Sequence, residues 1–571
     1  MTRYKYVAIH IPTMPSIYYI ERNGIKYAYQ STSKRVPGKK SPVTEKIYLG
    51  KVDPETGNII PKENRTPPKE EYVKDYGSVA VLDKVQDNLG LFEDLKACFP
   101  DIAEKIMAAA ISQCMEATPF SDIEYIIDGS TIAELYKLRG NLSSATMSEL
   151  SKDLGQRLSS MDHFFTQRVK RSADGKLILD LTSVSSYSDM KGYSEWGHNR
   201  DGEDLRQTEI ALITDGKGIP MVFSMLPGSI ADSTVLESTV EYLEELGCSG
   251  RFVMDRGFEN AHNVNSLLQR NVQFTMPSNI REEPIKKLLT RAASDMKSSE
   301  AFRFHEGNIY KVAEYEVGVV SVDGKDEYIV EVPRNHKDSA AINSRFATSR
   351  KFRAFVVFDS KKASNDLDAV MEMVSDIELK YENTKPRDPA KVYSKLPAFV
   401  RRYVDYSVDE EGFMHIERKQ NSFTFADNRA GYFVMFASEG TTWEQMMSSY
   451  DVRDWVEKAF DVYKTDLDGS RSRTGNPDSA RGRLFVKFIA MIMRIEVQNV
   501  LREHDRETLR TKTRKDSVNG KTVDELFRTL STVSAIGFKG NWRLSHISKG
   551  AREAFRLFGL DEPKSGRISL L

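Results

Sequence analysis

A mixed α/β fold is expected from three features of the sequence. Strand-like apolar runs alternate with an amphipathic helical stretch over residues 175–280. That rhythm breaks over 281–430 and returns near residue 430. Upstream, short β-like runs in the first 70 residues give way, from about residue 78, to a helical pattern. With 571 residues, 40% of them hydrophobic and 29% charged, the chain is long enough for several domains and a large core.

Taken in order, residues 1–75 form a β-rich N-terminal region, with runs such as "YVAIHIP" and "EKIYLGKV" separated by basic, Pro-rich loops. Residues 76–172 read as helical. Within them "SSATMSELSKDLGQRLSSMDHFF" fits either a DNA-binding helical element or plain packing. Over 173–280, "KLILDLTS", "QTEIALITD", "GIPMVFSMLPG" and "RFVMDRG" are strands, with the helix "DSTVLESTVEYLEELG" before the fourth. Three strands, a helix and a further strand predict a sheet that is part antiparallel and part parallel. Residues 281–430 read as a β-rich insertion, with a hairpin turning near "VDGKD" and one long helix, "DLDAVMEMVSDIELKYE". The α/β rhythm resumes over 431–515, where "RLFVKFIAMIMRIEVQNVLREH" is a core helix, and 516–571 forms a helical tail. No internal repeats are present.

Lys and Arg total 82 against 83 Asp and Glu, a net charge of −1, so any attraction to nucleic acid must come from local basic surface. Cys98, Cys114 and Cys248 are too few and scattered for a disulfide framework or a zinc site. No apolar run approaches the roughly 20 residues of a membrane helix, and the N-terminus lacks a cleavage site of the signal-peptide kind. A cytoplasmic protein is expected.

Two acids end buried-looking strands: Asp180 after "LIL" and Asp255 after "FVM". Each alone fits a strand-terminating Asp that caps a turn. Two such strands in one sheet would bring both carboxylates to one edge, and Glu457, on a helix packed there, supplies a third. Converging carboxylates raise one another's pKa unless cations neutralise them. Mg²⁺ suits such oxygen ligands, and two ions about 3.5–4 Å apart serve phosphodiester displacement.

The stretch "YDVRDWVEKAFDVYK" places Tyr450, Arg453, Glu457 and Lys464 at offsets that, on one continuous helix, fall within an arc of roughly 60°. Arg can grip a phosphate through two N–H groups, Lys supplies a point charge and the phenol donates a hydrogen bond. Alone, the stretch also fits an ordinary amphipathic surface helix.

The pattern Tyr-x2-Arg-x3-Glu-x6-Lys resembles the signature of insertion-sequence transposases of the DDE superfamily, in the branch named for those four residues. "LDLTSVSSYS", "VMDRGFEN" and "GHNRDGEDLRQTEIALITDGKGIPMVFSMLPGSIADSTVL" are similar to the same family. The resemblance implies an RNase H-like core interrupted by a β-rich insertion, with Asp180, Asp255 and Glu457 as catalytic metal ligands. It implies Mg²⁺, for which Mn²⁺ can substitute, and two ions in the active complex. Tyr450, Arg453 and Lys464 then contact DNA phosphates near the cleaved end, with Arg256 a further candidate. The implied reaction frees a 3′-OH at each element end, and that hydroxyl attacks target DNA. The implied partners are element ends, target duplex and a second copy of the chain in a dimer or larger assembly, with no membrane. A nuclease of the same fold without strand transfer, or a domesticated DNA-binding protein, are the alternatives.

Where many relatives carry Trp after the signature Arg, this chain has Asp454, and Trp455 turns toward the apolar face, as a core residue would. Trp443 is another aromatic available for base stacking. Asp454 and Asp461 share the angular position of Glu457, and the motif register selects Glu457. Asp189, Glu195, Asp201 and Asp215 sit in turn-like or polar surroundings. His198 and His262 lack zinc-like spacing and read as surface or packing residues. Of the basic runs "SKRVPGKK", "KTDLDGSRSRTGNPDSARGR" and "REHDRETLRTKTRK", the second is best placed to track backbone phosphates.

Overall fold

The computed structural model describes residues 16–561 and 567–568, apart from positions 23, 35–40, 55, 62–71, 173–174, 198–199, 201, 281 and 539–540. Two compact units divide the chain at Tyr72, with 537–540 counted in the first. In the first unit, Ser16–Arg22, Ile25–Lys34, Val43–Val52 and Ile59–Pro61 form an antiparallel meander. Cross-strand tyrosines brace it: the rings of Tyr18 and Tyr29 stack at 5.6 Å, and Tyr29 meets Tyr48 at 5.2 Å.

The second unit is mixed α/β. Its first five strands are β1 (Lys176–Ser186), β2 (Arg206–Thr214), β3 (Pro220–Pro227), β4 (Arg251–Met254) and β5 (Gln273–Pro277). They lie side by side in the order β3–β2–β1–β4–β5. β1, β2 and β3 pair antiparallel, whereas β4 runs parallel to both β1 and β5. The helix Asp232–Glu245 makes the crossover that a parallel neighbour requires. The antiparallel-to-parallel switch expected from the strand and helix order is therefore present.

Most strands of residues 281–430 do not form a separate β layer, although Val404–Val408 and Met414–Arg418 pair with each other apart from the main sheet. Strands β6 (Phe302–His305), β7 (Asn308–Val322), β8 (Lys325–Ile329) and β9 (Arg350–Phe358) extend the same sheet, joined through β10 (Tyr432–Ala437). β10 is antiparallel to both β5 and β9. The run "YFVMFA" is thus the seam between core and insertion, and it is buried where the two meet. The hairpin β7–β8 turns at Asp323–Gly324, with Val322 opposite Lys325. The segment holds more helix than strand, contrary to its β-rich reading, because Glu283–Asp295 and Ser360–Tyr381 carry strong local start signals. Pro284 opens the first, and the Asp359 carboxylate accepts from the Lys361 and Lys362 N–H groups at the second. The tail after residue 516 also departs from an all-helical reading, with strands Ser534–Phe538 and Asn541–Leu544 between its two helices.

The N-terminal helices pack against the helix that follows the signature stretch. Call Ser144–Gln156 α1 and Pro477–Thr511 α2. A Cβ on Gly155 would come within 1.8 Å of the Asp478 carbonyl, and one on Gly482 within 1.8 Å of the Ser151 carbonyl. Each glycine thus admits the other helix's backbone, and the "SSATMSELSKDLGQ" stretch is used for packing. Phe164, Phe165, Phe223, Phe485 and Phe488 meet beside this crossing at centroid separations of 5.2–6.5 Å. Each buried ring contributes about 2–3 kcal/mol, so this knot anchors α2 to the sheet. Among the described residues no helix is long and apolar enough to cross a membrane.

Candidate active site

The pairing Leu179↔Met254 sets the two acids side by side; Asp255 directly follows β4 as expected, whereas Asp180 lies within β1, which continues to Ser186, and so does not end its strand. β2 covers one edge of β1 from Ile178 to Ser186. On the other edge β4 ends at Leu179, and a two-residue strand, β11 (Arg471–Ser472), joins only at Ser185. Asp180 therefore opens a notch, residues 180–184, in an otherwise paired edge.

The signature stretch is not one helix. Trp443–Tyr450 ends with Tyr450, a turn spans 451–453, Asp454–Asp461 forms a second helix, and 462–466 is a π-helical turn. The 60° arc expected for a continuous helix therefore does not exist. A π segment interrupting a helix is a common mark of a functional position. The second helix packs Val456, Ala459 and Phe460 against the sheet, which points Glu457 at the acids. Glu457 lies in its first turn, where the helix N-terminus favours a negative charge.

Arg453 ties the group together. Its Nη1 donates to the Asp255 carboxylate at 2.9 Å, and its Nη2 lies 3.2 Å from Glu457 and 3.5 Å from Asp454. Burial opposes its charge, but Glu457, Asp255, Tyr450 and Asp454 outweigh that and raise its pKa. Its Nε is buried without a hydrogen-bond partner, a donor left over for a ligand. The Tyr450 ring stacks on Phe433 at 6.3 Å, with the Arg453 guanidinium 5.8 Å from it.

Asp180 is the most buried of the three acids, its side chain 16% exposed against 46% for Asp255 and 52% for Glu457. Its carboxyl is pushed up to about 7, chiefly by burial and further by the charges of Asp255 and Glu457, against the opposing pull of Arg200 and the Leu181 N–H. Arg200 was not singled out from the sequence. Its Nη1 lies 3.8 Å from Asp180, and it is fixed by bonds to the Leu181 carbonyl and, through its N–H, to Ser183 Oγ. Its placement inside "GHNRDGED", between the strands that frame the first acid, was the available signal.

Beside Asp255 opens a cavity of about 700 Å³, lined by Tyr450 and by six cations: Arg256, Lys286, Lys362, Arg402, Arg429 and Arg453. Among the described residues Asp255 is the one acid lining it. Four of those cations come from 281–430, where no motif marked them. Lys464 does not line this cavity; its charge acts on Glu203, on another side of the site.

A family model described as the transposase DDE domain matches residues 171–493. The chain belongs to that family. The match covers both acid-bearing strands, the insertion and the signature stretch. Membership in the DDE transposase family carries a transposase function and DNA as partner. No curated protein matches the chain.

Several residues weighed from the sequence lie elsewhere in this DDE domain. Trp443 is 3% exposed, packed beside Tyr310 and Phe355, so it is a core residue and no stacking platform. Trp455 is half-buried, not core: the Lys458 ammonium and the Arg502 guanidinium lie 4.5 and 4.8 Å from its ring. Asp461 is exposed, Asp189 pairs with Arg206 at 2.7 Å, Asp215 caps a turn, and Glu195 bonds Ser229. His262 is exposed and 3.1 Å from Asp326. His198 and Asp201 lie outside the described residues, as does most of "SKRVPGKK".

Proposed function

We propose that this transposase cleaves DNA at the ends of an insertion sequence and joins the freed 3′-OH to target DNA, using divalent metal held by Asp180, Asp255 and Glu457. The observation that carries the reading is the convergence of these three carboxylates at the edge of a cation-lined cavity: Arg453 bridges Asp255 and Glu457, and the charges of both act on Asp180. The strand order, with three antiparallel strands followed by β4 and β5 running parallel to β1, is the order expected of an RNase H-like core and supports the same reading. The four signature residues support the branch named for them.

The donor set fits magnesium: three carboxylates offer hard oxygens, and their mutual repulsion leaves a deficit of positive charge that Arg453 and Arg200 only partly meet. When bound, two such ions supply activation of the attacking oxygen and charge relief on the leaving one. The protein's own groups hold the DNA. Arg453, with its spare Nε, and the Tyr450 phenol grip a phosphate at the cavity mouth, while Arg256 lines the same cavity. Lys464 supplies positive charge on the opposite flank. Arg200 steadies Asp180 in its ionised form. Action as a dimer on paired ends follows from the same reading.

Incubating the protein with pre-cleaved element ends, a target duplex and Mg²⁺ tests it. Joined products are expected. Hydrolysis without joining would replace the reading with a nuclease of the same fold.

A further inference from the structure

The basic run 464–483 is only partly used by the site above, and its middle is built into the sheet. Arg471 and Ser472 of β11 pair in parallel with Ser185 and Ser186 of β1. The Ser185 N–H donates to the Ser470 carbonyl at 3.1 Å and the Tyr187 N–H to the Ser472 carbonyl at 3.0 Å. Beyond this pairing the Tyr187 side chain stands 52% exposed. The guanidinium carbons of Arg471 and Arg473 lie 5.7 and 5.8 Å from its ring centroid. Arg471 lies in β11 and Arg473 just past its end, and the one ring meets both cations. Glu203 pairs with Arg471 through Nε and Nη2, and Asp189 pairs with the nearby Arg206. No acid is paired with Arg473 in the described contacts.

This strip sits at one end of the 180–184 notch, roughly 20 Å along β1 from Asp180. The cation-lined cavity beside Asp255 sits at the other end, past β4. A site that joins two DNA segments must hold a phosphate backbone on each flank of its carboxylates. With Tyr450 and Arg453 facing the cavity, the β11 flank, where Lys464 adds its charge beside Glu203 and Arg471, is the surface that can hold the second segment.

We propose that Tyr187, Arg471 and Arg473 form a docking strip for the sugar–phosphate backbone of the target duplex, an inference that rests on the strand-transfer reading. The strip adds affinity without reading sequence, since its contacts are charges and a ring, with no base-reading side chain.

Full-length Arg473→Glu and Tyr187→Ala variants test it, with a folding check by thermal melting. Arg471 is left alone because its loss would strand Glu203. The first readout is affinity for a short duplex lacking element ends, over a salt series. Binding should weaken about tenfold in Arg473→Glu, with the slope of log K against log salt falling by about 1. The weaker Tyr187→Ala effect should run the same way. The second readout compares cleavage of element ends with joining of pre-cleaved ends: cleavage should stay within about twofold, and joining should fall with the lost affinity. Unchanged affinity and salt slope in both variants would overturn the strip. So would cleavage falling as far as joining, which would assign the strip to the element end. A wild-type protein that binds end-free duplex through the strip yet joins nothing would refute strand transfer and target assignment together, while a strip that fails in a protein that joins normally leaves the proposed function standing.

Discussion

Arg453 Nη1 lies 2.9 Å from the Asp255 carboxylate, and the same guanidinium reaches Glu457 at 3.2 Å. A cation is thus built in where two acids from distant parts of the chain meet. Both acids are about half exposed, so each pair contributes only about 1 kcal/mol to stability. The larger consequence is competition with metal. Arg453→Gln should melt at a lower temperature than wild type without divalent ions, and Mg²⁺ should raise its melting temperature by more than it raises the wild type's. Equal Mg²⁺-induced shifts would show that the guanidinium does not stand in for the ion.

Asp180 gives a second prediction, with a sign fixed by its raised pKa of about 7. A folded-state value above the unfolded one means that the folded protein binds the extra proton between about pH 4 and 7. In metal-free protein the stability this group contributes is present below that window and lost as pH rises through 7. Asp180→Asn removes the charge while its Oδ1 can still accept from the Leu181 N–H. Denaturant unfolding at pH 8 without metal should show the variant more stable by about 1–3 kcal/mol. Equal or lower stability would mean that Arg200 already offsets the burial in full.

Tyr450 separates packing from chemistry. Its ring rests on Phe433 and under Arg453, while its hydroxyl is the group assigned to phosphate. Tyr450→Phe should keep the melting temperature and reduce cleavage by roughly tenfold, the worth of one hydrogen bond to a charged group. Tyr450→Ala should lose stability as well. Full activity in Tyr450→Phe would limit the residue to packing.

The crossing of α1 and α2 is predicted to be intolerant. Gly482→Ala would place a methyl carbon against the Ser151 carbonyl, and the backbone of one helix must move. A loss of about 2–4 kcal/mol is expected by denaturant titration. A change below about 0.5 kcal/mol would show that the helices can part without cost.

The order of strands around Asp180 and Asp255 was legible because each ends a short buried apolar run, and local periodicity reports burial well. The signature stretch was legible as a motif but not as geometry. Counting 100° per residue assumes an unbroken helix, whereas the chain turns at 451–453 and widens to a π turn at 462–466. Periodicity encodes neither break, though Tyr450 at the first stacks on Phe433 and Val462 at the second is buried. Trp443 and Trp455 reversed their expected roles for the same reason: the ring environments are made by Phe355 and Arg502, far away in sequence. Arg200 and the cations of the insertion carry no spacing rule at all. The insertion's cations become visible only when the sheet continues from β5 through β10 into β9, and Arg200 only when its segment folds back onto Ser183.

The central claim is that the three acids act together with metal, and cleavage by Glu457→Ala tests it most directly. DNA carrying the element ends is incubated in Mg²⁺ with wild type and variant, with end binding measured in parallel. Wild type should cleave, and the variant should bind comparably while cleaving slower by roughly three orders of magnitude or more. Equal cleavage by both would contradict the account, since Glu457 would then be an ordinary carboxylate paired with Arg453.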